Sequence, residues 1–157
     1  MTRTNIRLLA ATALTLAISA CGGGPTFPAL QGVKLILPAQ AEGRLVTCET
    51  CTPAAWGVLE TSITLENNGT RDRRISTVES RVLNRTRNSV IATNTRPNKD
   101  FPLLDLLLPR GGRASLDVGV VYSPLPPPTD DIWFAVIVTF DDGATIGDQV
   151  RLLTRVS

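Results

Sequence analysis

Cys48 and Cys51, in Thr47-Cys48-Glu49-Thr50-Cys51-Thr52-Pro53, are the side chains best spaced for chemistry in this 157-residue chain. Three chemistries suit a Cys-x-x-Cys: a disulfide, a thiol-redox pair at a helix start, and part of a metal site. No helical pattern follows Pro53, since Ala54-Ala55-Trp56-Gly57 leads straight into alternating residues, so a structural disulfide is the leading expectation. A tetrahedral zinc site needs further ligands, and the chain holds no histidine and one other cysteine, Cys21. Without histidine, Ser/His/Asp and Cys/His nucleophilic machinery is absent too. The chain is therefore expected to be no enzyme and to hold no metal or cofactor. Asp130-Asp131 and Asp141-Asp142 could serve calcium only if their loops meet, because that ion takes about six to eight oxygens. As a glycoside-hydrolysing pair, they lack a buried partner to raise one pKa.

Cys21 belongs to a different chemistry. Arg3 and Arg7 precede residues 8–20, LLAATALTLAISA, in which ten of thirteen side chains are apolar. A basic start before about 7–15 apolar residues is a secretory signal, and the run is shorter than the roughly 20 residues of a spanning helix. Ile18-Ser19-Ala20-Cys21 resembles the lipobox of bacterial lipoproteins. That resemblance implies cleavage before Cys21, a diacylglycerol on its thiol, and attachment to a membrane through acyl chains. Gly22 after the cysteine resembles the pattern sorted to the outer rather than the inner membrane.

Removing residues 1–20 leaves 137 residues whose side chains sum to zero charge, so the overall +2 comes from the leader. The charge is nevertheless segregated. Residues 69–99 carry Arg71, Arg73, Arg74, Arg81, Arg85, Arg87, Arg96 and Lys99 against Asp72 and Glu79. Residues 117–148 carry six aspartates and no cation. Two polar strand faces that neutralise one another account for this most simply. The sharper expectation is a basic patch of Arg71, Arg73, Arg74, Arg81, Arg85 and Arg87 touching phosphate-bearing lipid, sugar or an acidic protein. Few aromatics lie among these arginines, so no nucleic-acid partner is expected.

The remaining residues read as strands and turns. Residues 22–32 hold four glycines and two prolines and read as a flexible tether. Short strands are expected over Val33–Leu37 and Arg44–Thr47, longer ones over Gly57–Asn67, Ile75–Asn84, Ser89–Asn94, Ala114–Tyr122, Ile132–Phe140 and Thr145–Leu153. Leu59, Ile63 and Leu65 share one face; Ile132–Phe140 is apolar on both faces, as a central strand would be. Asn67-Asn68-Gly69 and Asp141-Asp142-Gly143 are turn signals. Leu103–Leu108 could make one short helical turn, and Ser123–Asp131, with four prolines, must be an exposed loop.

Seven to eight strands with frequent turns indicate an all-β, antiparallel sandwich. The stretch Leu65-Glu66-Asn67-Asn68-Gly69, and Leu107-Leu108-Pro109-Arg110-Gly111-Gly112 leading into Ala114–Tyr122, resemble bacterial immunoglobulin-like or fibronectin-type domains; a transthyretin-like sandwich fits nearly as well. The expected organisation is a signal peptide at 1–20, a lipidated cysteine and tether at 21–32, and a β-sandwich at 33–157. The expected function is a lipid-anchored binding or assembly module of a bacterial cell envelope with an envelope protein or glycan as partner. The alternatives are a thiol-redox or processing accessory using Cys48 and Cys51, and a small carbohydrate- or lipid-binding module using Trp56 or Trp133. Both tryptophans have apolar neighbours and are expected to fill the core.

Overall fold

The computed structural model describes residues 26–97 and 106–155. Nine strands follow in order: β1 Val33–Ile36, β2 Ala41–Thr47, β3 Ala55–Asn67, β4 Arg73–Asn84, β5 Ser89–Arg96, β6 Leu106–Leu108, β7 Arg113–Tyr122, β8 Ile132–Phe140 and β9 Thr145–Arg155. They form one hydrogen-bonded path, β1-β3-β2-β9-β8-β4-β5, with β7 on the other edge of β3 and β6 on β4. The path folds over as a β-sandwich-like structure, one layer built on β3 and β7, the other on β4, β8 and β9.

Alternation makes the layers. Leu59, Ile63 and Leu65 of β3 are buried, as are Val118, Val120 and Tyr122 of β7 and Val78 and Val82 of β4. Phe134, Val136, Val138 and Phe140 complete the core from β8. Ala135 is buried as well, and β8 lies between β4 and β9, as its two apolar faces led us to expect.

The sheet is mixed, which corrects the expectation of a purely antiparallel one. β2 leaves its hairpin with β3 to pair in parallel with the end of β9, Ala41 opposite Leu152 and Arg44 opposite Arg155. Pro38, which lacks an amide donor, lies in the break between β1 and β2; both short strands share one edge of β3, and β2 bridges to the second layer. Nine strands rather than seven or eight arise partly because Leu106–Leu108 pairs with Arg73–Ile75 as β6, where a short helical turn was expected. Residues 103–105 lie outside the described residues.

Part of the segment expected as a tether is described, residues 26–32. Residues 26–32 run against the domain: Gly147 N–H donates to Pro28 O (2.8 Å), Val33 N–H to Leu30 O (3.1 Å) and Asn68 N–H to Gly32 O (2.7 Å). Leu30 packs on the core, and Phe27 packs at Gly147 so closely that a Cβ there would meet its ring carbon at 2.9 Å. Two apolar side chains among the glycines and prolines suffice to hold this stretch down.

The strand directions define two ends. One carries the 67–72, 109–112 and 141–144 turns and is called here the Asn67 end. The other carries the 48–54 hairpin loop, the 85–88 turn and the proline-rich 123–131 loop, and is called the disulfide end.

Candidate functional site

Pairing of β2 with β9 joins the layers along one flank. On the opposite flank β5 and β7 are not paired with each other; among the described residues each has a single strand partner, β4 and β3 respectively. Among the described residues, two side chains of β5 reach across this seam. Asn94 Nδ2 donates to the Gly119 carbonyl (2.8 Å) and Arg96 Nη1 to the Asp117 carbonyl (3.2 Å). Those carbonyls belong to alternate residues of β7, so the amide and carbonyl of Ser115, Asp117, Gly119 and Val121 all point toward the seam, while their even-numbered neighbours bond β3.

An open groove of about 770 Å³ follows the seam, walled by Glu60 and Ser62 of β3, Thr93 and Asn94 of β5, and Asp117 and Val121 of β7. Val121 is 61% exposed on its rim. The Ser62 hydroxyl donates to Asp117. Gly119 leaves no room for a side chain, because a Cβ there would lie 2.8 Å from the Leu59 carbonyl of β3. A row of backbone groups spaced two residues apart, flanked by polar side chains, can bind another extended chain.

Antiparallel pairing of β4 with β8 explains where the segregated charges go. It sets the start of β4 beside the end of β8 and the reverse. At the Asn67 end Arg71 and Arg73 both reach Asp142, Arg73 at 2.8 Å. At the disulfide end Asp130 accepts from Asn84 Nδ2 (2.6 Å) and Arg87 Nε (2.8 Å). Arg81 pairs with Glu79 along β4. Arg85 instead stacks its guanidinium on Trp133, 3.7 Å from the ring centroid, and Arg74 is exposed near the start of β4. The six arginines are thus divided between the two ends and one sheet face. Asp142 is held below the usual carboxylate range, chiefly by the Ala144 amide, then by the Arg73 and Arg71 charges, with desolvation opposing them.

Cys48 and Cys51 form a disulfide, Cα atoms 5.3 Å apart, at the tip of the β2–β3 hairpin. Cys48 N–H donates to Ala54 O (2.8 Å), and strand rather than helix follows at Ala55. Cys21 lies outside the described residues. Asp130-Asp131 and Asp141-Asp142 sit at opposite ends of the nine-residue β8, about 30 Å apart at strand rise, so their loops do not meet to hold calcium. Among the described residues no three His, Cys, Asp or Glu side chains gather as a metal site. Trp56 and Trp133 are half-buried, outside the fully buried core where they were expected.

Sequence reasoning missed the seam-spanning Asn94 and Arg96. It also missed Asn67, read only as part of a turn. Asn67 is fully buried and donates to Arg71 O (2.9 Å) and Leu108 O (3.1 Å), while its Oδ1 accepts from Gly69 N–H (3.0 Å). An inward-phase asparagine at the end of an apolar alternation was the available signal.

No protein-family model and no curated protein matches the chain. Among solved structures it is similar to Northeast Structural Genomics Consortium target SoR45 (TM-score 0.48, 11% identical, 80% of this chain and 90% of that one). It is similar to Spo0M, a sporulation control protein from Bacillus subtilis (TM-score 0.49, 8% identical, 80% of this chain), and spans about half, 49%, of that protein. A PapD-like domain of human CEP192 aligns over 90% of this chain and 98% of that one (TM-score 0.38, 15% identical). None of these likenesses bears on function.

Proposed function

We propose that this protein is a non-enzymatic, lipid-anchored binding module of a bacterial cell envelope that receives an extended segment of a partner protein along the β5–β7 seam. The observation that carries this reading is β7: ten residues long, paired among the described residues on one edge, with seam-side carbonyls at Asp117 and Gly119 capped by the Asn94 and Arg96 side chains. Side-chain caps protect an edge strand from indiscriminate pairing, and a matching strand would take over the carbonyls they cover. The anchor rests on the lipobox resemblance at Cys21, and placement in the outer membrane on Gly22.

We read the topology as immunoglobulin-like. β3 and β7 stand where strands B and E of that fold pair, and β4, β8 and β9 where C, F and G do. β6 departs from the pattern by pairing with β4 rather than β7.

The test is binding of the detergent-solubilised protein to an array of extended peptides. Val121→Pro removes an amide that faces the seam and none that faces β3. It should weaken bound peptides by about tenfold or more, roughly 1.4 kcal/mol, with little change in thermal midpoint. Unaltered binding by this variant removes the seam from the account.

A further inference from the structure

The docked segment 26–32 limits where the membrane can be. Phe27 packs on Gly147, the third residue of β9, and Gly32 O accepts from Asn68 N–H, so this stretch holds the chain near the Asn67 end. From Phe27 back to Cys21 there are six residue steps, which reach at most about 20 Å when fully extended. From Gly147 to the far end of β9 there are eight steps, about 27 Å of strand, and the 123–131 loop belongs to that far end.

We infer that the Asn67 end faces the membrane to which Cys21 is anchored, and that the Cys48–Cys51 hairpin and the proline-rich loop point away from it. The inference rests on the proposed acylation of Cys21 and goes beyond it by assigning a membrane-facing surface. Charge at that end suits phosphate headgroups. Arg71 is 63% exposed and Arg113 70%, while their partners Asp142 and Glu66 are 28% and 19% exposed. These two guanidiniums therefore lie outside the carboxylates they pair with, while Asp72 and Asp141 are exposed at the same end. Arg110 is exposed on the adjoining turn, its backbone amide held by Asp72 at 2.8 Å. Neither the seam nor the disulfide end is covered in this orientation.

The experiment uses the lipidated protein, purified from membranes and reconstituted into vesicles containing a nickel-chelating lipid. Thr70→Cys and Thr129→Cys, both at exposed positions on opposite ends, each carry a nitroxide label. Nickel at the bilayer surface should relax the label at 70 more than that at 129 by about threefold or more, since strand rise separates the ends by about 30 Å. Inserting about twenty Gly/Ser residues between Gly24 and Pro25 should erase the difference, because such a linker behaves as a flexible coil. Equal relaxation in the parent chain or stronger relaxation at 129 overturns the orientation, and a difference that survives the insertion overturns its assignment to the short linkage. Protein that fails to float with the vesicles overturns the acylation reading, and the orientation with it.

Discussion

The ring of Tyr122 occupies the space that a side chain at Gly57 would need: a Cβ there would lie 2.0 Å from the ring's Cζ. The two residues are directly opposite in the β3–β7 ladder. Tyr122 is fully buried, and its hydroxyl meets Thr154 Oγ1 at 3.1 Å while covering Gly43. One side chain thereby ties the end of β7 to β2, β3 and β9, the strands that close the flank opposite the seam.

Gly57→Ala should lower stability by about 1–3 kcal/mol through overpacking. The same change in a Tyr122→Ala background should cost much less, a coupling measurable by denaturant unfolding of the four proteins. Additive effects would mean that the ring does not occupy that space.

Asn67→Ala should be among the most damaging polar substitutions, at about 3 kcal/mol, because it leaves the buried carbonyl of Leu108 and the part-buried one of Arg71 without their donor. Asn68→Ala, beside it but exposed, should cost less than about 0.5 kcal/mol. Midpoints of chemical denaturation decide between them.

Asp142 should contribute to acid sensitivity. Its carboxyl is held below the usual carboxylate range, chiefly by the Ala144 amide and then by Arg73 and Arg71. A lowered carboxylate pKa adds stability that is present above the unfolded value and lost as pH falls through the folded one. The difference in stability between the parent and Asp142→Asn should therefore be constant near neutrality and shrink as pH drops below about 4. A difference that grows on acidification contradicts the pairing.

Cys21→Ser should move the protein from the membrane to the soluble fraction, since acyl chains contribute about 0.8 kcal/mol per buried CH₂. Full retention in membranes removes the lipid anchor from the account.

Much of this architecture was legible where local chemistry and long-range packing agreed. Leu59, Ile63 and Leu65 alternate because one face of β3 is core, and Ile132–Phe140 is apolar throughout because β8 is central. What stayed hidden depends on which strands meet. Arg71 and Asp142 are far apart in the chain, and only the antiparallel β4–β8 register brings them together. The parallel β2–β9 contact is likewise invisible to periodicity, which reports a strand's faces and not its neighbours. Trp133 was assigned to the core from its apolar neighbours, yet its phase in β8 points outward, where Arg85 covers it. Phe27 and Leu30 were lost in a glycine- and proline-rich composition, although they dock the segment.

Site-specific photo-cross-linking in the intact envelope tests the seam most directly. A photoreactive residue at Val121, on the seam, should give discrete adducts with a partner protein. One at Lys34, exposed on β1, should give none, and Ser115→Pro should abolish the Val121 adducts by removing a seam-facing amide. Adducts that form equally from Lys34, or that persist unchanged with Ser115→Pro, would contradict strand-edge binding at β7.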